Sequence, residues 1–267
     1  MKFITCSRPI LVVFGLLLGH SAAAQLISIP LPHVQLANSS LPAVTIDLNG
    51  IFKNGLPTPF VINDAALKPS AQWFCMDPLQ TIYYAGSGEP AGNSLIYGGS
   101  NPANYDLWGA NAPGLSTARV QNLADLFQAY LPQANNALTL GAIQLAVWEI
   151  ANESNANAYG LGTGYLSITS YNGTGANSMI SLANTLLASL NTAAVMNRGN
   201  VAALDFLIDG TYHRIGGDNT VLVQDLVGFT PVPEPSTYGL AVIALLAAVA
   251  TRRQFRAKQP DGMPAAV

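Results

Sequence analysis

The stretch GAIQLAVWEI, residues 141–150, predicts a buried helix around which the rest of the chain is organised. Asn136 is a good N-cap, and the helix is expected to run from there to about Asn152. A helix that is apolar on all sides is normally buried. Gln144 lies in its centre, and a buried carboxamide costs a few kcal/mol unless it finds hydrogen-bonding partners. We therefore expect Gln144 to have a specific partner elsewhere in the chain.

We propose as that partner Cys75, which lies in the strand-like segment AQWFCMDP, because the two segments together resemble those of a known protein family. Four large apolar side chains either flank this cysteine in the chain or share the helix face of Gln144. We expect them to exclude water from the pair. They are Trp73, Phe74, Val147 and Trp148.

The two segments resemble the thioester domains of bacterial surface adhesins. In that family, an aromatic-Cys segment and a Gln-x-Ala-Ile-Trp segment are joined by a Cys–Gln side-chain thioester. This chain has Phe-Cys-Met-Asp at 74–77 and Gln-Leu-Ala-Val-Trp at 144–148, in the same order. It has Ile143 where the adhesins usually have Thr, and Val147 where they have Ile. The resemblance covers residues 45 to 228 and implies an internal thioester that one amine-bearing or hydroxyl-bearing partner consumes.

Three other interpretations of the body of the chain stay open. In the first, Cys75 is buried and inert, and Gln144 is bonded to backbone groups. The second is a cysteine hydrolase, in which His213 is the base and Asp209 or Asp218 orients it. The third is a matrix or surface protein whose Asn-, Gly- and Ser-rich surface binds polysaccharide without covalent chemistry. A thioester that is used once, like a binding surface, does not make the protein a turnover enzyme.

Residues 1–24 predict a secretory signal peptide, with a charged start, an apolar run over 10–18 and small residues at 22–24. A membrane anchor is the alternative, but the run is too short to span a bilayer. Removal of the signal takes away Cys6 and leaves Cys75 alone in an oxidising compartment, so an internal disulfide is excluded. Zinc and iron–sulfur sites lack ligands, and we expect no metal or other cofactor.

The segment 231–258 resembles the PEP-CTERM sorting signal, which exosortase-type membrane enzymes recognise in Gram-negative bacteria that make exopolysaccharide. A Pro-Glu-Pro motif precedes an apolar run over 238–250 and then a basic cluster. The X-Pro steps keep the motif extended and open to an enzyme, and the cations hold the tail on the cytoplasmic side. The motif is Pro233, Glu234 and Pro235, and the cluster is Arg252, Arg253, Arg256 and Lys258.

This resemblance implies a precursor that is anchored in the inner membrane by its C-terminal helix before processing. The processed protein would then lie at the cell surface or in the extracellular matrix. Residues 259–267 form a short tail. An ordinary helix of the core is the alternative reading of the apolar run, and the flanking charges argue against it.

The charge balance of the mature body excludes one class of partner. Between Gln25 and Ala250 there are five basic residues against thirteen acidic ones, a net charge of −8. A surface this acidic argues against binding to nucleic acids and to anionic membranes.

The predicted fold class is α+β, with a short-stranded β-sandwich or barrel-like sheet and a small helical lobe. Residues 25–44 predict an extended lead-in segment that is not packed, and 45–230 the domain itself. Helices are expected from 117 to 131 and from 178 to 196, in addition to the central one, and a loop over 98–114. Strands are expected at 44–48, 51–53, 59–62, 72–76, 80–85, 94–97, 166–169, 203–208, 210–215 and 220–227, with Asn-Gly turns after 48 and after 53.

Overall fold

The computed structural model of the chain describes residues 25–30, 34–37, 40–62, 64, 67, 72–79, 102–153, 159–171, 173, 175–213, 220–222 and 225–230. Several predicted features lie outside these residues: the signal peptide at 1–24, the strands at 80–85 and 94–97, the sorting segment at 231–258 and the tail at 259–267.

Helices and strands both contribute to the described part of the chain. The helices are α1 (Thr117–Tyr130), α2 (Ala137–Asn152) and α3 (Ala176–Ser189), with single 3-10 turns at Leu131–Gln133 and Val201–Ala203. The strands are β1 (Gln25–Pro30), β2 (Val34–Leu36), β3 (Val44–Leu48), β4 (Ile51–Gly55), β5 (Phe60–Ile62), β6 (Gln72–Cys75), β7 (Pro102–Trp108), β8 (Leu166–Tyr171), β9 (Leu204–His213), β10 (Thr220–Leu222) and β11 (Leu226–Phe229).

The strands within the described ranges form two antiparallel sheets. The larger has the order β1-β7-β9-β11-β6-β5-β2, with β10 paired to the C-terminal end of β9, and it curls into a half-barrel. The smaller has the order β4-β3-β8. This mixture of helices and antiparallel sheets confirms the predicted α+β class.

Helix α2 lies at the centre of the fold. It packs against α1 and α3, against β6 of the larger sheet and against β8 of the smaller one. Its N-cap is Asn136, whose side chain accepts a hydrogen bond of 2.9 Å from the backbone N–H of Thr139. Every residue from Leu140 to Ile150 is buried. Both predicted ends of this helix are confirmed.

Residues 25–44 are extended, but the prediction that they are not packed is wrong. β1 pairs with β7 and β2 pairs with β5, at the two edges of the larger sheet. Ile27 and Ile29 are buried in the core. The proline content misled the prediction because Pro30 lies at the end of an edge strand, where a missing N–H is tolerated.

The prediction of a loop over 98–114 is also wrong in its central part, because Pro102–Trp108 form strand β7. This strand lies between β1 and β9. Its sequence alternates, with buried Tyr105 between the half-buried Asn104 and Asp106, as a strand of period two requires. The polar residues of the segment suggested a loop, although they occupy alternate positions of a strand.

One of the two predicted Asn-Gly turns is confirmed. Asn49 and Gly50 have φ values of 49° and 88° and connect β3 to β4. The second turn is wrong, because Asn54 and Gly55 continue β4. A Cβ at Gly55 would lie 3.0 Å from Cη2 of Trp148, so glycine here allows a close approach between β4 and α2.

The C-terminal half follows the prediction in its order but not in its bounds. Helix α3 ends at Ser189, where the prediction extended it to 196, and turns follow. The two strands predicted over 203–215 are one continuous strand, β9. Within the range 220–227, β10 ends at Leu222 and β11 begins at Leu226.

Candidate functional site

The side chain of Gln144 meets the backbone of Cys75 in a pair of buried hydrogen bonds. The backbone N–H of Cys75 donates to Oε1 of Gln144 over 3.0 Å. Nε2 of Gln144 donates to the carbonyl oxygen of Cys75 over 2.8 Å. Gln144 is fully buried and Cys75 is 3% exposed. The two residues that the sequence paired across 69 positions are therefore in contact.

This contact forms at the end of β6, where β5 no longer pairs with it. On one side, Cys75 lies opposite Leu226 of β11. On the other side, β5 pairs with β6 only at Gln72 and Trp73. The N–H and C=O of Cys75 would therefore be an unpaired edge inside the protein, at a cost of about 1–3 kcal/mol per group. The carboxamide of Gln144 takes the place of the missing peptide group.

The aromatic residues before Cys75 cover the two faces of β6. A Cβ at Gly228 would lie 3.0 Å from three ring atoms of Trp73, so the indole lies flat against β11. Phe74 alternates with Cys75 and packs against Phe127 of α1, with 5.0 Å between ring centroids. Both side chains are buried. Trp73 thus shares the face of the thiol, and Phe74 seals the opposite face.

The predicted shield on α2 is buried as well. Val147 is fully buried, and Trp148 is 3% exposed. The indole of Trp148 reaches the smaller sheet, where it contacts Gly55. Trp148 therefore fills the space between α2 and β4 of the smaller sheet, whereas Gln144 faces β6 of the larger one.

The electrostatic surroundings keep the thiol protonated. Burial raises the pKa of the Cys75 thiol well above its ordinary value, and the Asp77 carboxylate raises it further. The pKa of the Tyr105 phenol is also raised, first by burial and then by Cys75 and Asp225. Tyr105, which sequence reasoning placed in a loop, is thus a neighbour of the thiol.

Asn152 forms a second polar contact between α2 and the end of β6. Its Nδ2 donates to the carbonyl oxygen of Met76 and to that of Trp148, each over 2.8 Å. Sequence reasoning placed Asn152 at the helix end and gave it no role. The signal that could have found it is its spacing, eight residues after Gln144 and therefore close to the same helix face.

A cavity of about 200 Å³ opens one residue along β6 from Cys75. Its polar lining comes from Asp77, Asn152 and Asp225, and Met76, the residue after Cys75, also lines it. The rest of its lining is apolar or backbone, from residues such as Leu115 and Ile208. This cavity is adjacent to the otherwise closed Cys75–Gln144 pair.

The last turns of α2 carry two buried carboxyl groups. Oε1 of Glu149 accepts a hydrogen bond of 2.7 Å from the N–H of Gly160, and Oε2 of Glu153 accepts one of 2.7 Å from the N–H of Tyr165. Oε2 of Glu149 is buried without a hydrogen-bond partner. Burial raises the pKa of Glu149 to about 7, although the hydrogen bond from Gly160 lowers it and the charge of Glu153 adds to the increase.

The sheet register argues against the cysteine hydrolase. Cys75 lies opposite Leu226, and Leu226 lies opposite Leu207 of β9. His213 is six residues further along β9, which is roughly 20 Å of strand. Asp218 lies outside the described residues, and Asp209 is on the same strand as His213. The backbone therefore does not bring a Cys–His pair within the reach of a hydrogen bond.

In the described ranges, no group of three or more His, Cys, Asp or Glu side chains is arranged to hold a metal ion. Within the same ranges, no helix is both long enough and apolar enough to cross a membrane.

Comparison with known proteins identifies one segment. Residues 231–254 match the family model of the PEP-CTERM protein-sorting motif. The match includes Pro233, Glu234, Pro235, Arg252 and Arg253, and it indicates an exported, membrane-processed protein of a Gram-negative bacterium that an exosortase-type enzyme sorts. No curated protein and no solved structure matches the chain.

Proposed function

We propose that the protein is an exported surface or matrix protein whose domain forms a thioester between Cys75 and Gln144. The thioester would attach it covalently to an amine-bearing or hydroxyl-bearing partner at the cell surface or in the matrix. The observation that carries the proposal is the buried pair of hydrogen bonds between the Gln144 carboxamide and the Cys75 backbone.

The hydrogen bonds favour an approach of the thiol to the face of the carboxamide. Hydrogen bonds to a carbonyl oxygen prefer the plane of that group, so the carboxamide of Gln144 lies near the plane of the sheet. The side chain of Cys75 stands roughly perpendicular to that plane. Cδ of Gln144 faces the Cα of Cys75, and Sγ is two bonds from that Cα. Rotation about χ1 of Cys75 can therefore bring Sγ over the carbonyl carbon.

The same contacts supply part of the chemistry. Sγ of Cys75 attacks Cδ of Gln144, and the N–H of Cys75 stabilises the negative charge that develops on Oε1. The C–N bond then breaks. The thiol proton passes to the departing amino group, which leaves as ammonia, and the S–C bond remains. Because the pKa of Cys75 is raised, proton transfer must accompany the attack.

The partner would complete the reaction. Its amine or hydroxyl attacks Cδ, the S–C bond breaks, and the proton of the nucleophile moves to Sγ, which restores the thiol. The product is an amide or an ester to the partner. One acyl group is consumed for each molecule, so the protein is not a turnover enzyme in this proposal, and no cofactor is required. Among the described residues, the cavity lined by Met76 and Asn152 offers an approach for the nucleophile next to the end of β6.

A second candidate is a non-covalent matrix or polysaccharide-binding protein with the same sorting signal. The observation that favours it is the burial of the Cys75 thiol, whose pKa is raised well above its ordinary value. The Gln144 carboxamide pairs with the Cys75 peptide through Oε1 and one hydrogen of Nε2. This pairing gives Gln144 a structural role without any covalent chemistry, and the raised pKa of Cys75 suits an inert thiol.

An intact mass measurement separates the two candidates. We expect the wild-type domain to weigh less than its sequence mass by one ammonia, because the thioester forms without other change of mass. The variants Cys75→Ala and Gln144→Ala are each expected to have their full sequence mass, and neither should take up methylamine. In the wild type, methylamine should add at Gln144 and expose one thiol.

The same measurement can contradict the thioester. A folded wild type at full sequence mass, with Cys75 free and Gln144 intact in peptide mapping, would leave the non-covalent candidate. Circular dichroism of both variants is the control for folding.

Sorting is tested separately in cells. If Pro-Glu-Pro is read by an exosortase-type enzyme, Glu234→Ala and removal of residues 252–258 should each cause accumulation of precursor in the inner membrane. Arg198→Ala, which lies in the body of the chain, is the control and should be processed normally. Immunoblots of membrane and released fractions give the result, and equal release of all forms would contradict the recognition of this segment.

A further inference from the structure

The contact between α2 and β6 changes when the proposed thioester forms. Two of its hydrogen bonds come from the Gln144 carboxamide. Nε2 leaves as ammonia, so the carbonyl oxygen of Cys75 loses its donor. The bond from the N–H of Cys75 to Oε1 can persist, but only while the strand stays in register with the helix.

Asn152 makes the contact that the reaction leaves unchanged. Both hydrogens of its Nδ2 are used, one on the carbonyl oxygen of Met76 and one on that of Trp148. The second bond fixes the side chain to the last turns of α2, since Trp148 is four residues earlier. The first bond then holds the residue that directly follows Cys75. The end of β6 is thereby tied to the helix independently of Gln144.

We propose that Asn152 is a positioning residue for the Cys75–Gln144 reaction. It holds α2 and β6 in register, so that Cδ of Gln144 stays beneath Sγ and Oε1 stays on the N–H of Cys75 while the amino group leaves. The inference rests on the proposed function for its chemistry. Its geometric part, the register of residue 75, stands on the hydrogen bonds alone. A displacement of about 1 Å at a reacting pair can cost on the order of 100-fold in rate.

Asn122 provides a matched control. Its Nδ2 also donates over 2.8 Å, to the phenol oxygen of Tyr159, and it lies on α1 away from the pair. Asn152→Ala and Asn122→Ala each remove the donor and a similar volume. Asn152→Leu and Asn122→Leu keep the branched shape, remove the donor and add no charge.

The first measurement is the rate of ammonia loss. The chain is recovered unfolded, refolded by dilution, and followed by intact mass. We expect both Asn152 variants to form the thioester about 10–100-fold more slowly than the Asn122 variants, while thermal midpoints fall by similar amounts in both pairs. Equal rates in the two pairs would overturn the inference, because Asn152 would then contribute only to stability.

The second measurement does not need the thioester. In a Cys75→Ala background, amide hydrogen exchange at residue 75 should be at least tenfold faster with Asn152→Ala than with Asn122→Ala. If the wild type keeps its full sequence mass, the proposed function fails and this exchange still decides whether Asn152 sets the register. Unchanged exchange at residue 75 would overturn the inference whether or not the thioester forms.

Discussion

Replacement of Gln144 by glutamate is expected to lower the free energy of unfolding by about 3–5 kcal/mol at pH 8, the cost of an uncompensated buried charge. The Cys75 N–H can still donate to the new carboxylate. The Cys75 carbonyl oxygen, however, would then face a second acceptor where Nε2 now donates over 2.8 Å. Because Gln144 is fully buried, water cannot relieve this contact.

The decrease in the free energy of unfolding that Gln144→Glu causes should depend on pH. A protonated glutamic acid can accept from the Cys75 N–H and donate to its carbonyl oxygen, as the carboxamide does. Burial and the facing oxygen raise the folded-state pKa of the introduced group, so the deficit is small at low pH and grows as the pH rises. Urea unfolding at pH 5 and pH 8 measures this deficit in the free energy of unfolding. The measurement is made in a Cys75→Ala background, where no thioester can form.

Gln133→Glu is the control for this substitution. Gln133 is exposed and makes one side-chain hydrogen bond, to the carbonyl oxygen of Ala129. Its replacement should change the free energy of unfolding by less than about 0.5 kcal/mol at either pH. If Gln144→Glu were as mild as this control at pH 8, the carboxamide would not lie against the Cys75 peptide, and the geometry of the site would be wrong.

The central helix was predictable because its signals are local in the chain. The run from Gly141 to Ile150 has no polar face, which indicates burial, and a central glutamine in such a run requires a partner. The N-cap Asn136 follows from its side-chain chemistry. The pairing of Gln144 with Cys75 came from the family resemblance, since no rule of spacing connects residues this far apart.

That Gln144 is bonded to backbone groups was one of the open interpretations of the sequence, but that these groups belong to Cys75 was not predictable. Gln144 is bonded to the backbone of Cys75 because β5 ends at a point where β6 continues, and strand lengths of this kind follow from tertiary packing. Asn152 was missed for the same reason, since its acceptor on Met76 is exposed only by the end of the strand. The sequence marks Gln144 and Asn152 as polar residues of a mostly apolar helix, but it carries no signal for the strand end that they complete.

The errors in the sheet have a related cause. β1 and β7 contain proline, asparagine and aspartate, which are rare in strands and common in loops. Pro30 lies opposite Pro102 at one end of this strand pair, where neither needs to donate a hydrogen bond to a further strand. Composition therefore predicted loops, although the prolines lie at strand ends and Asn104 and Asp106 lie within β7, an interior strand of the sheet.

Glu149 is already a buried carboxyl group in α2. Its replacement by glutamine should therefore raise the free energy of unfolding, whereas Gln144→Glu lowers it. Its carboxyl is fully buried, accepts one hydrogen bond from Gly160, and has no partner for Oε2. The folded-state pKa is raised to about 7 from an ordinary value of 4.5. Between these two values the folded protein binds more protons than the unfolded chain, so stability falls as the pH rises through this window and stays low above it.

Glu149→Gln removes this dependence, because the amide stays neutral and can still accept from Gly160. We expect its free energy of unfolding to exceed that of the wild type by about 2–3 kcal/mol more at pH 8 than at pH 4.5. Urea unfolding at half-unit steps between these pH values measures the difference, again in the Cys75→Ala background. Parallel curves for the two proteins would mean that Glu149 is ionised throughout and that its buried oxygen has a partner. A free-energy difference that opens between pH 5 and pH 7 would identify Glu149 as a carboxyl group that burial holds protonated below pH 7.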